Sequence, residues 1–257
     1  MKKRGQLTIF VIIAVLVFVV IIGSFLMQQR ISEDFYISNE IRPIYDIVSE
    51  CVNTVSLNAI YDISESGGHF QVPEKSNYMN FPYYFYEDEA YFIELSYIES
   101  SIEKYIEAVL PFCVSNAASE LKSYEITFTK TNATVEIKED DNVYINVQFP
   151  FTIKKQEKSF YFDKPFDNVF DIRLYSIYLL ASNIVEWQIE EPRALCVNCI
   201  SDLSFFLGLY TITNNDFNKG TVFMIKDGEK PEYEDYSFFF VIKTKKEEFY
   251  DPFEDLL

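Results

Sequence analysis

From Leu7 to Met27 the chain runs 21 residues without a charge, built mainly from Ile, Val, Phe and Leu. About 20 apolar helical residues cross a hydrocarbon core of ~30 Å, so this segment has a spanning length. A discarded secretory signal would have an apolar stretch of only about 7 to 15 residues, followed by a small-x-small cleavage site. A helix buried in a soluble core would carry a polar stripe, and this run has none. Lys2, Lys3 and Arg4 precede it, whereas Arg30 alone follows closely before Glu33 and Asp34. That asymmetry places the N-terminus in the cytoplasm and the rest of the chain outside. The expected organisation is a cytoplasmic basic leader (1–6), a single transmembrane helix (7–27), a stem (28–42) and an extracytoplasmic domain (43–257) at the cell membrane. Within that domain, a helical part to about residue 122 precedes a sheet-rich part from about 123.

The basic residues run directly into Gly5-Gln6 and then the apolar helix, as Lys3-Arg4-Gly5-Gln6-Leu7-Thr8-Ile9-Phe10. This start resembles the class III leader of archaeal type IV pilin-like proteins. The resemblance implies cleavage after Gly5 by a prepilin peptidase, leaving Gln6 as the mature N-terminus. Assembling pilins usually carry Glu at the fifth mature position, which Phe10 holds here, so the chain departs from the pattern where a filament needs it. Together with "PIYDIVSECV", "SGGHFQVPE", "FPYYFY", "LPFC" and "CVNC", the start is similar across nearly the whole chain to single-pass membrane-anchored proteins of small-genomed archaea. That likeness implies location and fold, and brings no activity with it.

Charge narrows the partners. The net charge of −18 deepens once the three N-terminal basic residues are set aside, because they stand on the other side of the membrane segment. Such a surface repels phosphate backbones, so a nucleic-acid partner is not expected. It suits solubility outside a cell, cation-rich surroundings or a basic partner. Disorder is not expected either, since 49% of the residues are hydrophobic and 18% aromatic.

Periodicity then predicts an α+β domain in which packed helices accompany an antiparallel sheet. Pro43 suits a first helical turn. Behind it Ile44, Ile47, Val48, Cys51, Val55 and Ile60 form one face, and Gly67-Gly68 ends the helix. "YMNFPYYFYEDEAYF" predicts a short hairpin. Glu94–Leu110 predicts a second helix with Ile98, Ile102, Tyr105, Ile106 and Val109 inward, and with Glu99, Glu103, Lys104 and Glu107 outward. Pro111 is expected to end or kink it. From Tyr124 the period becomes two, through "YEITFTKT", "ATVEIKED" and "VYINVQFPFTIKK", which predicts a meander with turns at Asn132 and at Asp140-Asp141-Asn142. "SFYFDKPF" adds a strand. Residues 171–190 return to a helical period with Ile172, Tyr175, Leu179, Ile184 and Trp187 inward, and Cys196–Leu207 predicts a short fourth helix. "YTITNN", "GTVFMIKD" and "YSFFFVIKTK" close the sheet. Helices followed by strands, without βαβ alternation, define the class.

Four cysteines in an extracytoplasmic domain favour disulfides. Of three connectivities, the one favoured joins Cys51 to Cys113 and Cys196 to Cys199. The first closes a loop of about 60 residues, worth on the order of 4 kcal/mol in the chain-entropy model. C-x-x-C at a helix start also invites a thiol-disulfide reading, because such a thiolate has a lowered pKa. A zinc site from all four cysteines would need two close pairs, and only one is present. His69 is the only histidine and reads as a loop or hairpin residue. No H-E-x-x-H, calcium-loop, Walker or Rossmann signature occurs, so no catalytic residue, metal ligand or cofactor is assigned. The run Tyr83, Tyr84, Phe85, Tyr86, Tyr91 and Phe92 alternates as core does, and also offers a platform for a carbohydrate or protein partner. Asn132-Ala133-Thr134 matches an N-glycosylation sequon. The expected function is a membrane-anchored surface protein that acts as an interaction or structural envelope component. The alternatives are a pilin-like filament subunit and a thiol-disulfide protein using Cys196 and Cys199. Neither the ligand nor the oligomeric state is legible.

Overall fold

A computed structural model describes residues 41–119, 121, 123–216, 220–228 and 236–244. The 7–27 segment, Gly5 and Gln6 lie outside these residues. Among the described residues no helix is long and apolar enough to cross a membrane. The chain divides into two compact units, Met1–Pro43 and Ile44–Leu257; the second is described below.

The fold is α+β, with four helices and eleven strands among the described residues. Helix α1 (Arg42–Glu65) buries Ile44, Val48, Cys51, Val52, Val55, Ala59, Ile60 and Ile63. Ile47, expected inward, is only half-buried. The helix stops where Gly67 and Gly68 take left-handed φ of 56° and 78°. A Cβ on Gly67 would lie 2.5 Å from the Phe239 carbonyl oxygen, so only glycine fits. Strands β1 (Tyr83–Glu87) and β2 (Glu89–Ala90) form the expected hairpin, pairing Phe85 with Ala90.

Helix α2 (Leu95–Ala118) runs through Pro111 rather than ending there. Proline removes one intrahelical bond, but Val114 beyond it is fully buried and Cys113 is bonded to Cys51, and these fix the extra turns. Ser115 Oγ donates to the Pro111 carbonyl at 2.7 Å.

The predicted meander is instead one long bent hairpin broken in the middle. Strands β3 (Glu125–Phe128) and β4 (Asn132–Ile137) form one leg, and β5 (Val143–Gln148) and β6 (Phe151–Lys155) the other. Phe128 faces Phe151 and Asn132 faces Gln148, so three residues on one leg oppose two on the other. That bulge sits at Pro150, which has no N–H for a ladder. Each half gains a third strand. β7 (Lys158–Phe162) joins β6, and β8 (Phe166–Phe170) joins β5, giving sheets ordered β3-β6-β7 and β4-β5-β8. Asn132, expected in a turn, opens β4 instead.

Helix α3 (Leu174–Glu190) buries Leu174, Ile177, Leu180, Ala181, Ile184 and Val185. Tyr175 and Trp187 are half-buried and Leu179 is exposed, so the inward stripe is rotated from the expected one. After α4 (Val197–Phe206), strands β9 (Leu209–Asp216), β10 (Gly220–Asp227) and β11 (Phe238–Thr244) complete a five-stranded sheet ordered β2-β1-β11-β10-β9. It is mixed, not antiparallel throughout: β1 runs parallel to β11, with Phe85 opposite Ile242. The strands of the helical part therefore belong to the sheet of the C-terminal part. Phe223, Phe240 and Tyr84 stack through its core, with ring centres 4.9 and 4.8 Å apart in turn.

Candidate functional site

The site begins where α3 gives way to α4. Cys196 is the helix N-cap, and its Sγ accepts from the Cys199 backbone N–H at 3.4 Å. A sulfur thus meets one of the N–H groups that serine or aspartate usually satisfies. The two sulfurs are joined as a disulfide, and both cysteines are half-buried. At the other end, Gly208 takes a φ of 65° and closes the helix by donating to the Phe205 carbonyl at 3.1 Å.

An ionic node holds that C-terminal end. Arg173 Nη2 donates to the Leu207 carbonyl at 2.5 Å, placing a cation where the helix dipole is negative. The same guanidinium reaches Asp141 at 3.3 Å and Asp227 at 3.4 Å, and the Asp227 side chain is 3% exposed. Asp141 also accepts from the Ser176 backbone N–H at 3.1 Å and from its hydroxyl at 2.9 Å, capping α3. One arginine therefore ties the β4–β5 turn, β10 and the end of α4 together.

Only Ile200 and Ser204 of α4 are buried. Ser204 Oγ lies 2.8 Å from Thr211 Oγ1, which locks the helix beside β9. The helix sequence puts its apolar residues all round, so one side has no cover. Phe205 is 88% exposed, Phe206 83%, Val197 65%, Tyr210 63% and Ile212 51%. A groove of about 420 Å³ runs between α4 and β9, lined by Leu195, Val197, Ile200, Phe205, Leu209 and Thr211 among others. Adjacent exposed phenylalanines beside an apolar groove make a contiguous uncovered apolar patch.

Sequence reasoning placed the cysteines and the fourth helix but missed this face. The available signal was "SFFLGLYTIT", where apolar residues outnumber the positions that one helix face and one strand face can bury.

The other expected site residues lie elsewhere. Cys51 and Cys113 form the second disulfide, 62 residues apart in sequence. With both pairs closed and no free cysteine among the described residues, a four-thiolate zinc site is ruled out for this state. No group of three or more His, Cys, Asp or Glu side chains among them is placed to hold a metal ion. Asn132 is exposed at the start of β4.

His69 is buried against Tyr97, with ring centres 5.2 Å apart, and burial lowers its pKa from 6.5. The first half of the aromatic run is core, and Tyr86, Tyr91 and Phe92 are half-buried. Tyr83, Tyr84 and Phe85 are buried, and Tyr84 donates to the Gly67 carbonyl at 3.0 Å. Tyr86 and Tyr91 are half-buried beneath Lys75, whose Nζ stands 4.5 Å and 5.7 Å from their ring centres.

Comparison of the chain with family models, with curated proteins and with solved structures returns no match.

Proposed function

We propose that this chain is a single-pass, membrane-anchored protein whose acidic α+β domain works outside the cell as an interaction module. The observation that carries this reading is the pair Phe205 and Phe206, more than four-fifths exposed on a helix beside an apolar groove. An extracytoplasmic place rests on the uncharged 7–27 segment and its basic flank, and two disulfides fit an oxidising compartment. In intact cells, added protease should digest the domain. A domain that resists in intact cells and is lost only on lysis contradicts the topology. A photo-reactive residue at Phe205 should give a discrete cross-linked species in the native envelope, while one at exposed Lys130 should not. Equal yields at both positions contradict the interaction face.

A second reading is favoured by the N-cap geometry. Once reduced, a Cys196 thiolate would be stabilised by the Cys199 N–H and by the positive end of α4. The groove alongside would seat an apolar peptide flanking a substrate cysteine. This reading predicts that Cys196 of the reduced protein is alkylated faster than an unperturbed thiol at pH 6, and equal rates would remove it.

A further inference from the structure

Six strands lie at sheet edges among the described residues, and five of them are guarded against further pairing. On α2, Glu107, Glu103 and Glu99 accept from the backbone N–H groups of Ala133, Val135 and Ile137 at 3.2, 3.0 and 2.8 Å. Four helical residues rise ~6 Å and two strand residues ~6.7 Å, so glutamates at i, i+4 and i+8 match alternate N–H groups of β4. They seal that edge. β2 is two residues long and carries Glu89, while β3, β7 and β8 carry exposed Glu125, Lys158 and Asp167. Short edges and charged edge side chains are the common defences against unwanted strand addition.

β9 is the least guarded. It is eight residues long, its one charged residue is Asp216 at the last position, and Leu209–Asn215 holds no charge and no proline. Apolar side chains flank the strand on both faces. Thr211 faces α4 and the groove, where Val197 and Phe205 stand exposed; by alternation Tyr210 and Ile212 face the other way. A docked helix or a lipid surface would cover one face and leave the row of edge N–H and C=O groups unmet, whereas an added strand meets that row and is covered from both sides.

We propose that β9 pairs with β9 of a second copy of this chain, across a two-fold axis, to form one continuous sheet. This rests on the interaction-module reading and names its partner. Two chains of net charge −18 repel each other over most approaches. A strand that is uncharged over Leu209–Asn215 brings no like charges into register when it meets its own antiparallel copy there, and a two-fold sets each copy's phenylalanines beside its partner's groove. The five exposed apolar side chains represent on the order of 500 Å² per copy, or about 1,000 Å² for the pair before the strands are counted. That reaches the range of a specific interface.

The test measures the mass of the full chain in lipid nanodiscs or detergent across a concentration series, as wild type, Ile212→Lys and Thr213→Pro. The wild type should be dimeric. Ile212→Lys should weaken the dimer by about tenfold or more, and Thr213→Pro, which deletes a strand N–H, should also weaken it. Helical and strand content by circular dichroism should be unchanged in Ile212→Lys. If either strand variant fails to fold, the double change Phe205→Ser with Phe206→Ser, outside the sheet, should still weaken the dimer. A monomeric wild type at about 100 µM overturns the proposal, as does a dimer that none of these changes affects. A monomer that takes the strand of a different protein also overturns the second-copy assignment and leaves the interaction face standing. The protease experiment above fails independently of all these outcomes.

Discussion

Two regions of this molecule set a helix beside an edge strand and treat the edge in opposite ways. α2 reaches over with carboxylates and meets every second N–H of β4 from Ala133 to Ile137. α4 offers β9 one hydroxyl contact, Ser204 to Thr211, and otherwise leaves apolar side chains standing. The α2 region is stapled over a long range by Cys51–Cys113, whereas α4 is held locally by Cys196–Cys199 and by Arg173. The lesson is that the unguarded edge is a local choice. A chain that closes one edge with three glutamates has the means to close another, and at β9 it places threonines, asparagines, Tyr210 and Ile212 instead.

The largest expected effect tests what holds the open region in place. Arg173→Ala takes the guanidinium from a carboxylate that is 3% exposed and from the α4 C-terminus. It should cost about 3–5 kcal/mol in chemical denaturation, and a loss under about 1 kcal/mol would show that α4 is held by other means. The closed region is tested next. Glu103→Ala leaves the Val135 N–H without its acceptor and should cost about 1–3 kcal/mol, whereas Glu103→Gln keeps an acceptor and should cost less. Equal losses for the two variants would mean that the glutamate acts by packing or charge and not by sealing the edge.

Glu99 sharpens this further. Burial, the largest influence on it, raises its pKa above 4.5, although the Ile137 N–H pulls the other way. Relative to the unfolded chain, the fold therefore shifts Glu99 toward its neutral form. Its share of stability rises as pH falls from above the raised folded value to below 4.5, and Glu99→Gln should flatten that rise. An unchanged pH profile contradicts it.

Graded reduction compares the two staples. Cys196–Cys199 is half-exposed and closes a short ring, while Cys51 is buried and Cys113 lies far along the chain, so the C-x-x-C bond should open first. Opening of Cys51–Cys113 first, read by alkylation and mass mapping, would reverse the picture.

The smallest effect belongs to His69. Because burial lowers its pKa, the fold prefers its neutral form, and the stability this contributes is present above pH 6.5 and lost as pH falls through the folded value. As the only histidine, it gives a single imidazole signal in an NMR titration. A midpoint at or above 6.5 contradicts the buried setting.

Much of the fold was legible because helix and strand periods are local properties. Ile44, Val48 and Val55 marked α1, and the alternation through "ATVEIKED" and "VYINVQ" marked β4 and β5. What failed depended on distant partners. Pro111 looked like a stop because its lost hydrogen bond is local, while the packing of Val114 and the bond of Cys113 to Cys51 are not. Leu179 and Trp187 fit a helical stripe, yet the surfaces around α3 select Ile177, Leu180 and Val185.

In the sequence Glu99, Glu103 and Glu107, at spacings of four, predict an outward face. Their task became visible only once β4 lay beside them. The parallel pairing of β1 with β11 joins residues about 157 positions apart, beyond any local pattern. At the candidate site the cysteines and the fourth helix were legible. The exposed face was not, because period counts apolar residues without saying which of them find cover.

β4 is closed within one chain, whereas in the proposed dimer β9 closes only against another copy. Amide hydrogen exchange of the full chain at low and high protein concentration tests this difference most directly. Slow exchange is expected at Ala133, Val135 and Ile137 at both concentrations, whereas Thr211 and Thr213, whose N–H groups point away from β10, should exchange fast when dilute and slowly when concentrated. Exchange at Thr211 and Thr213 that is the same at both concentrations would contradict it.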